Sequence, residues 1–309
     1  MEQWFRPMDL NLRVITNSPE LDSAVRNAYG RFGKGDERSV PDLEFEFNQK
    51  DEMENAGDMP AEPSYRSTAL AAELQIGDGV LSINRINGKA HGRFALRVVR
   101  DYRAFRLHAL HFALSAALAA RGFLGIHGAC LAIEGRSVLL RGSSGVGKTT
   151  LAYAGALRGY QVVAGSTVWI APDESAWWGI PWWIYLRPSA VALFPEIADA
   201  PVVPAGGETR YELDLGWTGA GSTIPCVRPG IVVRVERNPG GATNLEPMST
   251  EEALSLWPEG AAGDELGTPG YSTRVAHLLN RPSYRLLAGD DLGHALDLIA
   301  FAAHEGATC

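Results

Sequence analysis

Ser137–Leu157 reads SVLLRGSSGVGKTTLAYAGAL, and the order of residue types in it decides how this part of the chain folds. Ser137-Val138-Leu139-Leu140 is the short apolar run of a buried strand, and Thr150–Leu157 is a helical run rich in Ala and Leu. Between them, Gly142-Ser143-Ser144-Gly145-Val146-Gly147-Lys148-Thr149 is a complete match to G-x-x-x-x-G-K-[ST]. Each fixed position has a chemical task. The glycines let the backbone turn tightly and aim its N–H groups at an anion. Lys148 reaches β- and γ-phosphates, and the Thr149 hydroxyl coordinates Mg²⁺. A helix that starts straight after the loop turns the positive end of its dipole toward the same anion. The bland alternative, a Gly/Ser-rich turn, gives no reason for Lys-Thr after the last glycine. The stretch predicts a strand–loop–helix that binds ATP with Mg²⁺, with Gly142 through Thr150 as its contacts and Thr149 as the metal ligand.

Composition narrows the setting. The chain has 309 residues, 46% hydrophobic and 21% charged, which is the balance of a soluble globular protein with room for two ordinary domains or one large α/β domain with an appendage. A net charge of −8 argues against a general nucleic-acid binder. Cys130, Cys226 and Cys309 are far apart and odd in number, so they predict neither a disulfide framework nor a metal site. The N-terminus MEQWFR lacks the apolar core of a signal peptide, and the apolar stretch Leu107–Ala120 is too short to span a bilayer. These features predict a cytoplasmic protein with no membrane partner.

Outward from the loop, the chain divides. Leu10–Ile15, Leu43–Phe47, Ala69–Ile76, Val80–Ile86 and Gly92–Val99 read as strands, the last three as successive antiparallel ones, and Glu20–Phe32 as a helix. Residues 48–65 are polar and acidic and read as a loop. From Tyr102 to Ala120 the pattern turns helical, which places a domain boundary at 103/104. Residues 1–103 would be a small β-rich accessory domain and 104–309 an α/β domain. In the latter, Ala129–Ile133, Gln161–Ala164, Ile231–Glu236 and Ser283–Leu287 read as strands, 167–186 as hairpin strands, and Thr250–Trp257 and Asp291–Ala303 as helices.

The run from His127 to Thr149, HGACLAIEGRSVLLRGSSGVGKT, resembles the catalytic domain of HPr kinase/phosphorylase. That family pairs a His-Gly with the loop at this spacing and continues through an Arg-Gly turn, here Arg158-Gly159. The resemblance is continuous over about residues 122–170. It resumes in patches at Arg285-Leu286-Leu287-Ala288-Gly289-Asp290-Asp291-Leu292. It implies an α/β fold shared with phosphoenolpyruvate carboxykinase and transfer of a phosphoryl group from ATP to a serine hydroxyl. It further implies His127 beside the γ-phosphate and Lys148 stabilising the transferring group as the catalytic residues, and hexameric assembly. Read without the family, His127 is as readily a structural histidine at a strand edge. Because the N-terminal unit carries no motif of the family's regulatory domain, a tailoring kinase of the lasso-peptide type, acting on a peptide or small protein, fits at least as well as a catabolite regulator.

One departure is serious. The family ends the next strand in two aspartates, one of them the catalytic base, and those positions are Gly165 and Ser166 here. Three explanations compete: another carboxylate (Asp173, Glu174, Glu196 or Asp214) has moved in, the protein binds ATP without transfer, or the nucleotide is used without a hydroxyl acceptor. Among weaker signals, Arg274, Arg281 and Arg285 lie where the family supplies an arginine to the phosphates, or are solvated surface charge. Trp169, Trp177, Trp178, Trp182 and Trp183 are either core packing or an interface platform. The acidic stretch 51–62 is a solvated loop or an attractor for a basic peptide.

Overall fold

The computed structural model describes residues 1–50, 63–68, 70–205, 207–216, 223–257 and 270–305. They form a mixed α/β protein of two compact units, Met1–Phe123 and Leu124 onward, with Pro204–Glu208 counted with the first.

The first unit is built on one seven-stranded sheet, ordered β1 (Glu2–Phe5), β2 (Leu12–Thr16), β3 (Leu43–Lys50), β7 (Lys89–Ala95), β6 (Gly79–Asn84), β5 (Ala71–Ile76), β4 (Ser64–Ser67). Strict alternation turns Leu43, Phe45 and Phe47 inward. Strands β2 and β3 run parallel, so their connection must cross over, and helix α1 (Pro19–Tyr29) makes the crossing. Its first turn is capped by Ser18, whose Oγ accepts from Leu21 N at 3.3 Å. Strands β5, β6 and β7 are antiparallel neighbours, as their turns predict.

Two expectations are corrected here. The strand expected to reach Val99 stops at Ala95, and Leu96–Arg100 is helix α2. Val98 and Val99 are both buried, which consecutive residues of a strand on one sheet face cannot achieve. The division between units falls after Phe123 rather than at 103/104. The reason is packing. Helix α3 (Tyr102–Phe105), a π-helical turn at Arg106–Leu110 and α4 (His111–Ala120) run on from one another, and α4 packs on β6 and β7. Tyr29 of α1 also donates its hydroxyl to Leu110 O.

The second unit has a six-stranded central sheet in the order β11 (Gln161–Ala164), β9 (Ala129–Ile133), β10 (Arg136–Arg141), β18 (Ile231–Arg237), β20 (Ser283–Ala288), β19 (Asn244–Met248). Strands β10, β18 and β20 are parallel to one another, and the outer ones antiparallel to their neighbours. On one face, Val138, Leu140, Val233 and Leu286 meet helices α5 (Lys148–Leu157) and α8 (Leu292–Glu305) in one apolar core. On the other, Leu139 and Val232 pack with a four-stranded antiparallel sheet of β8 (Leu124–His127), β12 (Thr167–Ile170), β13 (Trp177–Trp178) and β17 (Cys226–Val227), and with α6 (Thr250–Ser255) and α7 (Tyr271–Leu279).

The expected hairpin over 167–186 is divided between sheets. Its last strand, β14 (Trp183–Leu186), leaves to pair with β16 (Glu208–Asp214), whose other neighbour is β15 (Val202–Ala205). Trp169, Trp177, Trp182 and Trp183 are buried and Trp178 is half-buried, so the tryptophan cluster is mainly core. Among the described residues no helix is long and apolar enough to cross a membrane.

Candidate functional site

Parallel β10 ends at Arg141, and the chain turns through 142–147 into α5, which is the strand–loop–helix order read from the sequence. Gly142, Gly145 and Gly147 all have positive φ (143°, 84° and 103°), so the loop's shape depends on residues without a Cβ. Ser143, Ser144 and Gly145 are exposed, Val146 is half-buried, and nothing lies within 4 Å of where a Cβ on Gly147 would be. The loop mouth at the helix N-terminus is open. Lys148 is 6% exposed, and its Nζ donates to Gly142 O and Ser143 O, both at 2.9 Å. Thr149 Oγ1 donates to Gly165 O at 3.0 Å, which leaves its lone pairs available to a cation. Thr150 stands half-buried beside it.

More positive charge surrounds the loop than the motif supplies. Burial lowers the Lys148 pKa to about 8, and Arg141 and Arg187 add to the effect. Arg141, the last residue of β10, is 3% exposed. It donates from Nη1 to His127 O, its Cζ lies 4.8 Å from the Trp257 ring, and its Nε has no hydrogen-bond partner. Arg187 overlies the loop, its Nη1 2.6 Å from where a Cβ on Gly145 would stand. His127, at the end of β8, is half-buried and pairs in register with Thr167. Burial first, then the charges of Lys148, Arg141 and Arg210, depress its pKa to about 4, against a hydrogen bond to the Ser166 backbone. His127 is therefore a neutral imidazole near pH 7.

Of the two missing acid positions, the first is sterically crowded. Gly165 is buried, and a Cβ there would lie 3.1 Å from Ile184 Cγ1 and 3.3 Å from Trp183 O, so the backbone of β14 fills the side-chain space. Ser166 is exposed. Each of the four carboxylates considered as substitutes has a hydrogen-bond or ion-pair partner. Asp173 caps its own turn through Ser175 (N at 3.1 Å, Oγ at 2.8 Å), and Glu174 pairs with Arg274 at 3.6 Å. Glu196 accepts from Tyr153 OH at 3.3 Å, and Asp214 from Gly216 N at 2.9 Å. The C-terminal arginines are likewise committed: Arg274 to Ala171 O at 2.8 Å, Arg281 to Pro229 O at 3.4 Å, and Arg285 to Glu236 at 2.7 Å.

What the motif reading missed is the β14–β16 ribbon. Ile184 and Leu186 turn into the core, as does Leu213 across from Ile184. Alternation then sets Tyr185 and Arg187 on the opposite face, with Arg210, Glu212 and Asp214 beside them. The one available signal was this alternation in Trp183–Arg187 and Thr209–Asp214, but strand spacing alone does not say which loop a ribbon will cover. Cys130 is buried with its thiol pKa pushed up by that burial, and Cys226 is half-buried. Cys309 and the acidic stretch 51–62 lie outside the described residues.

No protein-family profile matches the chain, and no curated protein matches it. Among solved structures, it is similar to the HPr(Ser) kinase/phosphatase from Coxiella burnetii, at 13% identity and a TM-score of 0.30, over 60% of this chain and 90% of that one. At that level the chemistry rests on the residues themselves.

Proposed function

We propose that the second unit binds ATP with Mg²⁺ and transfers its γ-phosphoryl group to a hydroxyl, in the resemblance's terms a serine of a peptide or small protein in the cytoplasm. One observation carries this reading. Lys148 and Arg141 are both almost fully buried at one loop, and among the described residues the charges acting on them are those of other arginines and Tyr271. A buried charge without a counter-ion is costly, and a polyanionic ligand is what offsets it. Lys148 holds the loop's own carbonyls in the meantime and is placed to exchange them for phosphate oxygens.

The residues fit the implied group. The open loop with its exposed Ser143-Ser144-Gly145 supplies backbone N–H donors, and α5 supplies the positive end of a dipole. Among the described residues no set of three His, Cys, Asp or Glu could hold a metal alone, so Mg²⁺ would be held by Thr149 together with the phosphates it accompanies. When bound, it would neutralise charge on the β- and γ-oxygens. His127 would donate or accept one hydrogen bond as a neutral ring.

A second reading, ATP held as a structural or switching ligand without transfer, is favoured by Gly165 and Ser166 at the base positions. Incubation with γ-labelled ATP, Mg²⁺ and a library of serine peptides, beside Lys148→Ala, separates the two. Label on a peptide above the Lys148→Ala background supports transfer. Binding of ATP with neither transfer nor hydrolysis supports the second reading, and no binding by the unaltered protein ends both.

A further inference from the structure

Resting on that reading, the geometry points to Arg187 and Arg210, carried on the β14–β16 ribbon, as the cations that stabilise the phosphoryl group during transfer, Arg187 over the loop and Arg210 beside it on the same face. Placement is the first argument. One step beyond the Leu186–Tyr211 pair of the ribbon stand Arg187 and Arg210, on the face away from the core. Arg187 is held extended (φ −69°, ψ 154°) by the proline that follows it, and its Nη1 reaches Gly145 in the middle of the loop. Its charge acts on Lys148, and that of Arg210 acts on His127. The two arginines thus stand side by side near the loop and His127 on one element, whose Ile184 and Leu186 are anchored in the core.

The second argument is chemical. In phosphoryl transfer the bond from phosphorus to the β,γ-bridging oxygen breaks, its electron pair going to ADP, as the bond to the acceptor oxygen forms. The acceptor's proton leaves on an oxygen of the transferred phosphate. This route needs little from a protein base and much from cations around the equatorial oxygens. A site with Gly165 and Ser166 at the base positions and arginines above the loop is built for it.

The test compares Mg-ADP with Mg-ADP plus aluminium fluoride, which mimics the phosphoryl group in flight, by calorimetry on the full chain. The unaltered protein should bind the fluoride complex more tightly than ADP alone. Arg187→Gln should keep ADP affinity within about threefold and lose most of that gain, with hydrolysis of ATP falling by about 10³-fold or more. Arg210→Gln should lose a smaller share, and Arg187→Lys should recover part of it. If Arg187→Gln retains the whole gain, or loses ADP binding in parallel, the inference is overturned while nucleotide binding stands. If the unaltered protein binds neither complex, the reading beneath it has failed instead. Should Arg187→Gln not fold, Arg210→Gln and Arg187→Lys carry the same comparison.

Discussion

Two glycines of the loop, both at positive φ, should respond very differently to a single methyl group. Gly147 (φ 103°) has nothing within 4 Å of an added Cβ, so Gly147→Ala meets only backbone strain, about 1–2 kcal/mol. Gly142 (φ 143°) carries similar strain, but its Cβ would lie 2.4 Å from Val235 O and 3.2 Å from Val146 Cγ2. Val235 is on β18, one residue past its last pair with β10 and held in register with Leu286 of β20, so its carbonyl retreats only by disturbing that ladder. Overpacking of this kind adds about 1–3 kcal/mol. Gly142→Ala should therefore be less stable than Gly147→Ala by about 2 kcal/mol, a gap of about 4–8 °C in the midpoint of a unit this size. Scanning calorimetry of the two variants beside the parent measures it. ATP titrations should show weakened binding in both, since each disturbs the amide cradle. Equal midpoints, or a less stable Gly147→Ala, would refute the claim that β18 closes the space behind Gly142.

Further expectations concern charge and the vacant acid positions. Lys148 has a folded pKa lowered to about 8 from 10.5, so between those values the unfolded chain holds a proton that the folded one lacks. Its contribution to stability should rise with pH across that window, and Lys148→Met should flatten the alkaline limb of a denaturation series. His127, lowered to about 4 from 6.5, should erode stability as pH falls from about 6.5 to 4. An NMR titration should place its ring near pH 4 alone and higher once polyphosphate is bound, and an unmoved ring would separate His127 from the site. Ser166→Asp should fold with a midpoint within about 2 °C of the parent, as expected of an exposed substitution, whereas Gly165→Asp forces a carboxylate against Ile184 and Trp183 and should cost about 2–4 kcal/mol by urea unfolding. Arg141→Met removes a buried uncompensated charge, so it should leave stability unchanged or improved while weakening ATP binding tenfold or more.

Strands with clean alternation, such as β3, and the capped helix at Ser18 were legible because their signals lie within a few consecutive residues. The end of β7 was not, because Leu96–Arg100 is as apolar as a strand and only packing shows that Val98 and Val99 share a side. Strands β8 and β19 were missed because, short and partly polar, they acquire their structure from neighbours distant in the chain.

The amino-acid sequence by itself determined the strand–loop–helix of 136–157, since glycine geometry, a lysine at the helix start and two apolar runs are contiguous and act over one or two turns. It also determined that Gly165 and Ser166 bear no carboxylate. Only the tertiary structure decided what replaces them. A ribbon whose strands are separated in the chain folds over the loop, fills the space beside Gly165 with its own backbone and sets Arg187 above Gly145. That outcome depends on Ile184, Leu186 and Leu213 finding a shared core with α5. Apolar packing over such distances is non-directional, so it leaves no motif in the residues that it brings together.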